Sequence, residues 1–207
     1  MHDPARRFEG TVSPEKEKIA RVISLIEQPP FVCIPVFVSI CLAHSDDLTT
    51  GILCSLVSIL FATILPVAIV AYYAKKTGNA EKLDVVKKED RIAPLILGVL
   101  SYFAGVGLLC YLSAPDVATI LMLCYAVVTA AIALITPFWK ISIHSCGIIG
   151  PSMGLAIAFW PWGLLYFLLL PPVVWSRYVL KKHTPLQLLM GAVVGFVITA
   201  ILFWIFL

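Results

Sequence analysis

Ser176, Arg177, His183 and Gln187 are the residues of this chain best suited to chemistry. An Arg and a His stand six residues apart, just before a long apolar run that opens Thr184-Pro185. Arginine presents a fixed fork of donors that matches phosphate oxygens. A neutral histidine can attack phosphorus, and a protonated one can give a proton to a leaving oxygen. A second polar cluster, Lys140-Ile-Ser142-Ile-His144-Ser145, also opens an apolar segment, and so does Asp90-Arg91, with Pro94 in the following turn. Each helix start leaves free N–H groups and a partial positive charge, which attract anions. Two arginines, two histidines and three helix starts form an inventory for handling phosphate. In phosphoryl transfer most of the barrier lowering comes from positioning and charge stabilisation. No acidic cluster is present to hold Mg²⁺ or Ca²⁺. The expected chemistry therefore uses no metal and no cofactor.

The elements that must position these residues are apolar helices. The 207 residues are 60% hydrophobic and 13% charged, about half the charge of a typical soluble domain. Apolar runs of roughly 20 residues recur, each long enough to cross a bilayer core of about 30 Å. They are continuous rather than alternating, which predicts helices rather than a barrel. The expected fold is all-α, a polytopic bundle of six to seven transmembrane helices. The segments fall at about 30–44, 51–74, 92–112, 117–138, 142–159, 162–179 and 186–207. The first is the weakest, since it is short and contains Pro35. Residues 1–29 read as a cytoplasmic arm and 30–207 as one membrane domain. Within the arm, Val22–Ile26 reads as lying along the membrane surface. No signal peptide is expected, because the first 28 residues are polar and mixed in charge. The six Cys show no metal spacing and read as small hydrophobes.

Charge sorts the loops. If all seven segments span, all fifteen Lys and Arg lie on one face, with residues 1–29, 75–91, 139–141 and 177–185. The other face carries only Asp46, Asp47 and Asp116. The positive-inside rule assigns the basic face to the cytoplasm. Arg91, His144 and Arg177 are separated by two spans each, so all three reach that basic face. The partners expected are a membrane lipid substrate and the bilayer itself. Nothing suggests nucleic-acid binding, and the oligomeric state is open.

These residues resemble the type-2 phosphatidic acid phosphatase superfamily of membrane lipid and polyprenyl diphosphate phosphatases. Its third motif, Ser-Arg-x5-His-x3-Asp, matches Ser176, Arg177 and His183, with Gln187 at the Asp position. Its second, Pro-Ser-Gly-His, is met in part by Ile141-Ser142-Ile143-His144. Its first, Lys-x6-Arg-Pro, is met by Arg91 with Pro94 three residues on. Asp84 stands where the motif has Lys, and Lys87 and Lys88 are the candidates to replace it. The resemblance implies a phosphoric monoester or diphosphate hydrolase. It makes His183 the nucleophile that forms a phosphohistidine and His144 the general acid. Arg177 and Arg91 would clamp the phosphoryl oxygens, with Ser142, Ser176 and Lys88 as further phosphate contacts. Gln187 would orient His183, but without the charge an Asp brings.

Simpler readings stand beside these. His183 and His144 can be polar residues at a membrane interface, and Arg91 can be a topogenic charge. Thr184-Pro-Leu-Gln187 also fits a capping box, with Thr as cap and Gln reaching back. Gly191 and Gly195 suit close helix packing. At the level of function, the alternatives are a non-catalytic lipid-binding protein or transporter, and a decayed, inactive family member. A transporter should carry polar residues at mid-membrane depth, whereas here they gather at one edge.

Overall fold

The computed structural model describes residues 12–76 and 92–207. Among them are eight α-helices and no strand. Helix α1 (Pro14–Ile26) is capped by Ser13, whose hydroxyl accepts from the Lys16 N–H. Helix α2 (Pro29–His44) follows after a bend of 43°. Helix α3 runs from Leu48 to Lys76 as one 29-residue rod with a π-turn at Leu60–Ile64. Asp47 caps it, accepting from the N–H groups of Thr49 and Thr50. Helices α4 (Ile92–Tyr111) and α5 (Asp116–Ile135) form an antiparallel pair. Helix α6 (Ile143–Ala158) is followed by a 3₁₀ segment (Trp162–Leu169), helix α7 (Leu170–Val179) and helix α8 (Pro185–Phe206).

Four helices are long and apolar enough to cross a membrane: α3, α4, α5 and α8. The bent pair α1–α2 passes the same test only when its two helices are counted as one span. Helix α6 is apolar but has 16 residues, a rise of roughly 24 Å against a hydrocarbon core of about 30 Å. The expected segment 162–179 is not one helix. Pro171 and Pro172 have no N–H to return to the carbonyls of Phe167 and Leu168, so the α-helix restarts at Leu170. Upstream, Gly163 lies so close to α6 that a Cβ there would fall 1.9 Å from the Leu155 carbonyl oxygen.

The main core lies where α2, α3, α4 and α5 meet. Phe37, Tyr102 and Tyr125 gather there, with ring centroids 5.9 Å (Phe37–Tyr125) and 5.6 Å (Tyr102–Tyr125) apart. Helix α6 sits centrally, against α2, α5 and α8, while α1 packs on α7.

Candidate functional site

The two histidine-bearing helix starts are joined at backbone level. The Ser142 N–H donates to the Gln187 carbonyl at 3.1 Å, tying the entrance of α6 to the first turn of α8. One turn further along α8, a Cβ on Gly191 would meet the Ser142 carbonyl oxygen at 2.4 Å. Gly195 lies against Cys146, where a Cβ would come within 3.0 Å of both its carbonyl oxygen and Sγ. Only glycine permits this approach. The expected packing role of Gly191 and Gly195 is thus their observed one, and it draws His144 toward His183.

A C-terminal cap sets the spacing of the third motif. Lys181 lies in the left-handed region, with φ 55°. The Lys182 N–H donates to the Arg177 carbonyl at 3.1 Å, and the Lys181 N–H to the Tyr178 carbonyl at 2.9 Å. This is a Schellman pair of bonds closing α7. The chain reverses there and enters α8 through a capping box. Gln187 N–H donates to Thr184 Oγ1 at 3.3 Å, and Thr184 N–H donates to Gln187 Oε1 at 3.0 Å. His183 sits between the two caps, almost fully buried. A stop after Arg177 and a start after His183 explain why His183 falls six positions after Arg177.

Arg177, Lys182, His183 and His144 line one cavity of about 590 Å³. Apolar walls come from α3 (Pro66, Val67, Val70) and α4 (Pro94, Leu95, Gly98), and Tyr102 and Thr129 line it too. The remaining wall is α1. Glu17, Arg21 and Ser24, at i, i+4 and i+7, face the cavity, and Gln28 continues the stripe. Arg177, 5% exposed, donates from Nη1 to Ser24 Oγ at 2.9 Å. Arg21 pairs with Glu17 one turn back.

The other expected contacts are placed differently. Ser142 is fully buried as the N-cap of α6, accepting from Ser145 N–H and Oγ. Ser176 is fully buried and donates to the Val173 carbonyl at 2.8 Å. Neither hydroxyl lines the cavity, because each serves local backbone or capping needs. For Gln187, Oε1 accepts from the Thr184 N–H, as the capping-box reading expects. Arg91 and Lys88 lie outside the described residues. The contribution of α1 was missed, although Ser24 lies two residues after Val22 in the stretch read as a surface segment. Its signal was the polar stripe Glu17, Arg21, Ser24, Gln28.

Glu27, at the C-cap of α1, is buried, and its Oε2 has no hydrogen-bond partner among the described residues. Burial pushes its carboxyl up to about 7. Among the described residues no group of three or more His, Cys, Asp or Glu is placed to hold a metal ion. All six cysteines are free, and five are buried. No family model, curated protein or solved structure matches the chain.

Proposed function

We propose that this chain is an integral membrane lipid phosphatase that hydrolyses a lipid phosphate or polyprenyl diphosphate. The observation that carries this reading is one cavity lined both by His144, Arg177, Lys182 and His183 and by apolar residues of α3 and α4. The headgroup sits among the cations and the tail runs along α3 and α4. A ring nitrogen of His183 attacks phosphorus while the bond to the leaving oxygen breaks. His144 gives that oxygen its proton. Water then attacks the phosphohistidine as the phosphorus–nitrogen bond breaks, and His144 takes the water's proton, so that inorganic phosphate leaves and both histidines are restored. Arg177 neutralises the charge gathering on the phosphoryl oxygens. Arg91 and Lys88 are proposed to add to that neutralisation. In this reading the bundle crosses the cell membrane six to seven times, and the cavity opens to the cytoplasm, following the charge bias.

The test is phosphate release by purified protein from a panel of lipid phosphates and diphosphates, with and without a chelator. Release that survives EDTA is expected. Activity abolished by EDTA and restored by a divalent ion would sink the metal-free mechanism. Orientation is tested separately with Lys181→Cys in an otherwise Cys-free variant. Labelling by an impermeant reagent on intact cells, with Asp116→Cys protected, would turn the cavity outward.

One observation favours a second reading, a lipid-binding protein without turnover. Gln187 Oε1 is held by the Thr184 N–H, and a neutral amide steadies an imidazolium less well than a carboxylate. Tight binding of lipid phosphates with no release in the same panel would select it.

A further inference from the structure

Helix α1 carries an apolar row that nothing covers. Ser24 is buried against Arg177, while Glu17 and Arg21 sit at the rim of the cavity with side chains 43% and 68% exposed. Ile19, Val22 and Ile26, at i, i+3 and i+7, face outward and are 53%, 50% and 66% exposed. A helix surrounded by water would turn such a row onto the core. Six charged residues between Glu15 and Glu27 also keep it out of the hydrocarbon core. The environment that suits both faces is the headgroup–acyl boundary of a bilayer. Lys16 and Lys18 flank the apolar row and are exposed, as residues reaching toward anionic headgroups should be. The helix packs chiefly on α7 and is joined to α2 by a 43° bend.

We propose that the outward row Ile19, Val22, Ile26 is a lipid-docking surface, and that seating α1 there delivers Ser24 as a positioning residue for Arg177. The 2.9 Å bond from Arg177 Nη1 to Ser24 Oγ spends one of five guanidinium donors and fixes the direction of the rest. Lipid contact on one side of α1 is thereby coupled to anion affinity on the other. The coupling rests on the anion-binding reading of the cavity; the lipid seat does not.

The experiment uses the full chain in vesicles of mixed neutral and anionic phospholipid. Spin labels are placed singly through Val22→Cys and Lys18→Cys in a Cys-free background. The label at 22 should collide with oxygen and be shielded from a polar nickel complex, and the label at 18 the reverse. Equal access of the nickel complex to both overturns the seat. Inorganic phosphate is then titrated, and its stabilisation of the protein against heat gives an affinity. Ser24→Ala should weaken that affinity by up to about tenfold, the worth of a hydrogen bond to a charged group. Ser24→Thr should restore it, and the triple change of Ile19, Val22 and Ile26 to Ser should weaken it to a similar degree. Unchanged affinity in a folded Ser24→Ala protein overturns the coupling. If the unaltered chain gains no stability from phosphate, the anion reading of the cavity fails, and the spin labels alone decide the seat.

Discussion

The wall of the cavity built by the start of α6 and the turn into α8 and the wall built by α1 differ in what holds them. The first is joined backbone to backbone, through Ser142 N–H to the Gln187 carbonyl and through glycines that admit no Cβ. The second packs chiefly on α7, and Arg177 donates to Ser24 across that contact. Both present polar groups to the same space. Under the proposed phosphatase reading, rigidity on the histidine side suits a nucleophile and an acid that must meet a phosphorus atom within a fraction of an ångström. In that reading α1 borders the route by which a headgroup enters from the lipid.

The largest expected effect is on the rigid wall. His183→Ala should lower phosphate release by at least about a hundredfold, the low end of what a positioned catalytic group supplies. Turnover in a folded His183→Ala protein equal to that of the parent would remove the phosphohistidine step and leave the two walls without distinct roles.

The next effect tests the joint itself. Gly191→Ala forces its Cβ against the Ser142 carbonyl, and overpacking of this kind costs about 1–3 kcal/mol. Gly107 on α4 is the control, because a Cβ there meets nothing within 4 Å. Gly107→Ala should stabilise by about 0.4–1 kcal/mol. Thermal unfolding in detergent reads both, and the two shifts should have opposite signs. Two shifts of the same sign would mean that the α6–α8 contact is not close enough to matter.

On the α1 side, Glu27→Gln should raise stability at pH 8 and leave it nearly unchanged below about pH 4.5. The sign follows from proton uptake. The folded carboxyl, raised to about 7 by burial, binds its proton more tightly than the unfolded one at 4.5. The native state therefore holds more protons between those values, and stability falls as pH rises from 4.5 to 7. Above 7 the loss is complete. Melting temperatures across that window should slope downward in the parent and flatten in Glu27→Gln. An unchanged slope would show that Glu27 reaches water or a cation and does not load the hinge of α1.

A smaller effect separates the two roles open to Gln187. Loss of one half of the capping box by Gln187→Leu should cost about 1 kcal/mol. If capping is its whole duty, turnover per folded molecule is retained. If it also steadies His183, turnover falls and Gln187→Asp preserves or raises it.

These walls were unequally legible in the sequence. The motif around Arg177 and His183 is short-range, and so is the Thr184–Gln187 box, so spacing alone located both. Arg177, His144 and His183 line one cavity, as expected, through the joined starts of α6 and α8. Ser142 and Ser176 were misjudged because a small hydroxyl near a helix end has nearby backbone groups to bond, and those won over the cavity. The segment 162–179 was misjudged because an apolar run hides the loss of two proline N–H groups. The Ser24–Arg177 bond joins residues 153 positions apart. Its trace in the sequence is a polar stripe, which reads equally well as a solvated face. Nothing local says that Ser24 is the member of that stripe that is buried.

The smallest effect concerns the turn that links the two motif residues. Lys181 is in the left-handed region at the C′ position of α7, where a side chain costs roughly 1–2 kcal/mol relative to a relaxed backbone. Glycine relieves that cost but loses more entropy on folding, by about 0.5–1 kcal/mol. The balance predicts that Lys181→Gly stabilises by up to about 1 kcal/mol, and glycine is the usual occupant of this cap. Lys181→Ala keeps the strain and removes the charge, so it separates the two causes. If charge at the membrane edge is what matters, both variants lose stability together. If strain matters, they move apart, with glycine the higher. Turnover should be the same in both, because the backbone bonds from Lys181 and Lys182 to α7 are untouched and His183 stays where the caps hold it. A fall in turnover for Lys181→Gly alone would mean that the turn must be stiff as well as correctly shaped, extending the rigid wall from α8 back to Arg177.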